Sequence, residues 1–108
     1  MQKYENLNEI QKKLALIPQY DTILIVSKHD KILKAIFASP IRSNIAWSDI
    51  ESLLKHLGAE ISEGSGSRVR IVLHGVRAVF HRPHPEKETD KGAVRSMRRF
   101  LINAGVKL

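Results

Sequence analysis

The chain has 108 residues, 43% hydrophobic and 27% charged, the composition of one globular domain with a modest appendage. A chain of this length buries roughly 65% of its unfolded surface and needs no covalent staples. It has no cysteine, which excludes a disulfide framework, a thiolate nucleophile and a thiolate metal site together. No apolar run approaches the roughly 18 residues of a transmembrane helix, so no membrane role is expected. The run Thr22–Val26 follows an acid-containing amphipathic stretch, which argues against a secretory leader and for a cytoplasmic protein.

Charge is unevenly spread. Lys and Arg number 18 against 11 acids, for a net charge of +7. Residues 1–60 carry eight basic and seven acidic side chains, residues 61–108 ten and four, so +6 of the +7 sits in the second part. Seven of those ten bases are arginines: Arg68, Arg70, Arg77, Arg82, Arg95, Arg98 and Arg99. Arginine pairs bidentately with phosphate and stacks on bases, which favours a polyanionic partner, nucleic acid first and an acidic protein second, though composition alone is equally met by arginines that only keep the protein soluble.

In chain order, Leu7, Ile10, Leu14 and Ile17 have helical spacing with Glu9 and Lys13 as an i,i+4 pair, and Pro18 ends the segment. Thr22–Val26 is β-branched and reads as a short strand. Together these make residues 1–26 an N-terminal extension, open to three readings: packed on the main domain, swapped between two copies of the chain, or only partly ordered. The main domain is expected over residues 27–108. Ser27 caps a helix to about Ala38 with Ile32, Leu33, Ile36 and Phe37 as its apolar stripe. Ser39-Pro40 ends it. Ser48 and Glu51 have the spacing of a capping box, and Ile50, Leu53, Leu54 and Leu57 follow as a buried face. Gly58 closes that helix.

A β region comes next. Ala59–Glu63 reads as a strand, Gly64-Ser65-Gly66-Ser67 as a turn, and Arg68–Leu73 and Val76–His81 both alternate. His74-Gly75 fits a two-residue hairpin loop with glycine at positive φ. Arg82-Pro83-His84-Pro85 must leave the sheet, because neither proline donates to a ladder. After an acidic loop, Thr89 or Asp90 caps a last helix over about Gly92–Ala104. Its inner stripe is Val94, Met97, Leu101 and Ala104 with Phe100 beside them. The fold class is α+β: a three-stranded antiparallel sheet packed against helices, with extra helical and strand-like segments in front.

The hairpin register has a chemical consequence. It sets Arg68 opposite His81, Arg70 opposite Val79 and Val72 opposite Arg77, with opposed Cβ atoms about 5 Å apart. One face is then apolar. The other gathers Arg68, Arg70, Arg77 and His81, with His84 just beyond the strand end and no carboxylate in these two strands. Such a cluster can hold phosphate. It also meets the needs of metal-free RNA cleavage: a base for the 2′-hydroxyl, an acid for the leaving 5′-oxygen, and cations around phosphorus. His81 and His84 are the catalytic candidates on that reading. An exposed, non-catalytic role is the ordinary alternative for two histidines in a basic loop.

Other patterns point to less. His81-x-x-His84 has a metal-like spacing, but its third ligand could only be His74 or Glu86, and neither a metal nor another cofactor is expected. Gly64-Ser65-Gly66 leads into a strand and so is no nucleotide fingerprint. Ser65 and Ser67 lack a Ser-His-Asp setting, and Trp47 reads as a core or hinge aromatic. Arg95, Arg98 and Arg99 are phosphate-contact candidates or, equally, a solvated helix face. Lys28, Lys31 and Lys34 share that second reading.

Several of these features occur together in one order. Ile50–Gly58 is followed by Ala59-Glu60, then Gly66-Ser67-Arg68 opening a strand, then Phe80-His81-Arg82-Pro83-His84. Thr89-Asp90-Lys91-Gly92-Ala93-Val94-Arg95-Ser96 and the closing Leu101, Ala104-Gly105-Val106 complete the series. This stretch, Trp47–Leu108, resembles the HicA family of bacterial toxin–antitoxin toxins, in particular a longer subgroup with a His-Arg-Pro-His-Pro loop. With looser similarity upstream the likeness reaches Ser27. It implies a fold like the double-stranded-RNA-binding domain, endoribonuclease action on mRNA that blocks translation, and a HicB-like antitoxin as protein partner. The family's common Gly-Ser-His pattern has its catalytic histidine where this chain has Arg68. The register offers a substitute, since His81 lies across the strand from that position, and His84 lies near a histidine common in the family's Pro-x-His loop. Two other functions remain open: a non-catalytic RNA-binding module, and a winged DNA-binding module built from Ile45–Leu57 and the hairpin.

Overall fold

Ser27 opens the described part of the chain: the structure, a computed structural model, describes residues 27–108. The helix and strand expected within residues 1–26, and pairing of two chains through them, lie outside the described residues. Helix α1 spans Lys28–Ile36 and starts with a reciprocal cap. Ser27 Oγ accepts from the Asp30 N–H at 3.1 Å, and the Asp30 carboxylate accepts from the Ser27 N–H at 3.2 Å. This satisfies two of the donors that a helix start leaves open.

Helix α2 spans Trp47–His56 and starts without a side-chain cap, on Ala46. The capping box expected from Ser48 and Glu51 is not formed. The helix begins two residues earlier than that pattern requires, which moves Ser48 inside the first turn and frees Glu51 for other partners. The far end follows expectation, with Gly58 at φ +94 just after the C-cap Leu57.

Three strands follow: β2 (Glu60–Glu63), β3 (Arg68–Leu73) and β4 (Val76–His81), antiparallel in the order β2-β3-β4. The expected register holds throughout the hairpin, from Leu73 opposite Val76 to Arg68 opposite His81. His74 and Gly75 carry φ of 50 and 80 respectively, a left-handed pair matched to strand twist. His74 is the residue without glycine's freedom, and its Nδ1 lies 2.7 Å from the carbonyl oxygen of Ala104, the C-cap of the last helix. Helix α3 spans Lys91–Asn103, capped by Asp90, whose carboxylate accepts from the Ala93 N–H at 2.8 Å.

Two short strands escaped the sequence pattern. Strands β1 (Ile45–Ala46) and β5 (Glu88–Thr89) pair as a separate two-stranded sheet, and the Trp47 N–H donates to the Lys87 carbonyl at 3.0 Å. Two residues each are too few for alternation to be read. Their effect is to tie the return of the 82–87 loop to the start of α2.

The core lies between the helices and one sheet face. Val69, Ile71, Leu73 and Phe80 of the sheet meet Ile36, Ile50, Leu53, Leu54, Val94, Met97, Phe100 and Leu101 of the helices, all buried. Phe80 bridges Trp47 and Phe100 with ring centroids 6.0 Å from each, edge-on to the second. No helix among the described residues is long and apolar enough to cross a membrane.

Candidate functional site

Alternation along β3 and β4 turns Arg68, Arg70, Arg77 and His81 outward on the sheet face away from the helices, and all four are exposed. Strand β2 adds Ser62 opposite Arg70 and Glu60 opposite Val72 to that same face. The open face therefore holds three guanidinium groups and an imidazole, with one carboxylate toward its far edge. Among the described residues the Arg68 and Arg77 guanidinium groups make no hydrogen bond or ion pair, and that of Arg70 reaches only the Glu63 carbonyl at 3.4 Å. A cluster of like charges without internal partners is a standing site for an anion.

His81 ends β4 and has its Nδ1 3.4 Å from Ser67 Oγ, a loose contact that faces the ring across the strand mouth. One residue on, the chain is fixed. The Arg82 N–H donates to the Ser67 carbonyl at 2.9 Å. The Arg82 guanidinium then forks onto two carboxylates: Nε and Nη2 donate to Glu51 at 2.8 and 3.1 Å, Nη1 and Nη2 to Glu63 at 2.5 and 2.7 Å. The Trp47 indole N–H also donates to Glu51. The hydrogen bonds from Arg82 hold the Glu51 carboxyl below the usual carboxylate range, with Trp47 adding to the effect against the opposing cost of partial burial. Glu63 is lowered for the same first reason, and Arg82 is held in its cationic form.

This arrangement separates the arginines that composition had grouped. Arg82, a phosphate candidate in the sequence, spends its donors inside the chain. Arg98 does the same: Nε donates to the Ile36 carbonyl at 2.9 Å and Nη2 to the Ala38 carbonyl at 2.6 Å, with the guanidinium 5.8 Å above the Phe37 ring. It closes the carbonyl end of α1. Arg95 and Arg99 are exposed on α3 without partners among the described residues. Arg99 faces a groove of about 540 Å³ between α3 and β4, whose rim also includes Arg77 and His81. His84 is exposed in the loop that Arg82 anchors at one end and β5 at the other.

His74 does not complete the metal-like His81-x-x-His84 spacing. His74 is at the opposite end of the hairpin from His81, turned to Ala104. Among the described residues no group of three or more His, Cys, Asp or Glu side chains could hold a metal ion.

Sequence reasoning missed the Glu51–Arg82–Glu63 knot and the Ser67–His81 contact. The signal for the first is masked in the sequence, because the Ser48–Glu51 spacing assigns Glu51 to a helix cap. Comparison with known proteins adds one finding: the family model described as HicA toxin of bacterial toxin–antitoxin matches residues 47–106, from the first residue of α2 to the segment just beyond α3. No curated protein and no solved structure matches at a significant level.

Proposed function

The chain belongs to the HicA toxin family of bacterial toxin–antitoxin pairs, and from that premise we propose that it is an endoribonuclease that cleaves messenger RNA without a metal. Toxins of this family are generally ribonucleases. On this reading His81 takes the proton from a ribose 2′-hydroxyl, whose oxygen attacks the adjacent phosphorus. The P–O5′ bond breaks, and His84 returns a proton to the leaving 5′-oxygen. Arg68, Arg70 and Arg77 hold the non-bridging oxygens as charge builds in the pentavalent state. The products are a 2′,3′-cyclic phosphate and a 5′-hydroxyl. Arg95 and Arg99 extend the phosphate track, while Arg82 and Arg98 act from within the fold. The toxin works in the cytoplasm, is neutralised by a HicB-like antitoxin, and carries residues 1–26 as an extension that could pair two copies.

The observation that carries this reading is the pairing of His81 with Arg68 on the open face. The family's usual histidine position is Arg68 here, so imidazole enters the same place from the neighbouring strand. The test is incubation of the purified protein with a defined messenger RNA in excess EDTA. Wild type is expected to cleave, and His81→Ala to lose about two to four orders of magnitude in rate, the worth of a general base. Full cleavage by His81→Ala would overturn the assignment. Arg68 itself favours a second reading, a silent RNA-binding member of the family. That protein would bind RNA in a salt-sensitive way and leave it intact.

A further inference from the structure

Strand β4 is the outer strand of the three-stranded sheet, and its free side borders the groove along α3. The ladder fixes which backbone groups face that side. Arg82 donates its N–H to Ser67, which makes Ser67–Arg82 a hydrogen-bonded pair, while Arg68 turns its own N–H and C=O toward Ser65 and Gly64. Antiparallel pairs alternate between bonded and non-bonded, so Arg68–His81, Arg70–Val79 and Val72–Arg77 are non-bonded. The N–H and C=O groups of Arg77, Val79 and His81 consequently point outward, and no strand among the described residues receives them.

This edge carries few of the usual safeguards, with Arg77 as its one always-charged side chain. It is six residues long, regular to its end, and contains neither proline nor lysine. Beside it the groove floor is formed by apolar side chains such as Ala78, Phe80, Ala93 and Phe100. Phe80 and Phe100 are buried, so the groove offers no exposed ring on which a base could stack. Arg77 and Arg99 flank it, with Asp90 as its one acid, already committed to the Ala93 N–H.

We propose that β4 is the docking edge for the antitoxin, which adds an acidic, extended strand to the sheet and bonds through its backbone to Arg77, Val79 and His81. This rests on the toxin reading above. Alternate apolar side chains of that strand would enter the groove against Ala78 and Phe80, and acidic ones would meet Arg77 and Arg99. A second copy of this chain fits less well, because two antiparallel β4 edges centred on Val79 would oppose Arg77 to His81 twice. Docking here seals the His81 end of the open face, so inhibition follows from the same contact.

The experiment uses the full chain and its cognate antitoxin, purified as their complex. Amide exchange is compared between the free and bound toxin, residue by residue. The expected result is new protection at Arg77, Val79 and His81. Alongside, Val79→Pro removes one outward N–H from a residue 57% exposed and spares every bond to β3. Antitoxin affinity should fall roughly tenfold, the worth of about one net hydrogen bond, while RNA cleavage by the free variant is unchanged. Equal exchange in both states would overturn the proposal, even if the proline variant failed to fold. So would protection already complete in the free toxin, which would mean that its own residues 1–26 or a second copy occupies the edge. Loss of RNA cleavage in the wild type would count against the ribonuclease reading alone, because exchange reads docking without it.

Discussion

The corner knot and the open sheet face are built from the same residue type and do opposite things with it. At the corner, Arg82 makes four hydrogen bonds, two to Glu51 and two to Glu63, and leaves little for a ligand. On the face, Arg68 and Arg77 have no partner among the described residues. The difference is carboxylate placement. Glu51 comes from α2 and Glu63 from the end of β2, and both converge on the one arginine that follows the strand. A positive residue is thus a binding residue only where the fold withholds its counter-charge, and no count along the chain can say where that is.

The contrast can be broken most severely at the corner. Arg82→Ala should release the loop that carries His84 and leave Glu51 facing Trp47 alone. RNA cleavage should fall about a hundredfold, the scale of a 1 Å misplacement of a reacting group. RNA affinity should hold, and Arg82→Lys, which cannot fork onto both carboxylates, should restore little. An equal loss of affinity would move Arg82 to the binding side of the comparison.

Arg98→Ala is the next largest. Losing two charge-assisted bonds at the end of α1 should cost about 2 kcal/mol in chemical unfolding, with RNA binding intact. A smaller effect comes from pH. Glu51 has its folded-state pKa lowered, so its contribution to stability is fully present above the ordinary glutamate pKa of about 4.3. It is lost as pH falls through the lower native value. Acid unfolding curves of wild type and Glu51→Gln should therefore differ above that range and converge below it.

Changes on the face should be the mildest for folding. Arg68→Gln and Arg77→Gln should each shift stability by less than about 0.5 kcal/mol. Each should reduce the salt slope of RNA binding by about 0.7, the figure for a single-strand phosphate contact. A variant that changed stability but not the slope would place that arginine with Arg82 instead.

Much of this was legible in the residues. The His74-Gly75 loop is short enough to admit one register, which set Arg68 against His81, and the apolar stripe of α3 lies buried where its spacing put it. What was hidden is long-range. Glu51 and Arg82 are 31 positions apart, and Arg98 meets Ile36 across 62. The Ser48-Glu51 spacing read as a local cap because local partners are all that a spacing can show. The true capping box, Ser27 with Asp30, used an aspartate where the usual pattern has glutamate. Strands β1 and β5 were too short to leave a period.

In the proposed mechanism, imidazole and guanidinium on the open face act on the RNA 2′-hydroxyl. The most direct test is to map the ends of RNA cleaved by the wild-type protein in excess EDTA. The expected ends are a 2′,3′-cyclic phosphate on one side and a 5′-hydroxyl on the other, with no cleavage where the ribose is replaced by deoxyribose. A 3′-hydroxyl with a 5′-phosphate, or cleavage at the deoxyribose site, would contradict it.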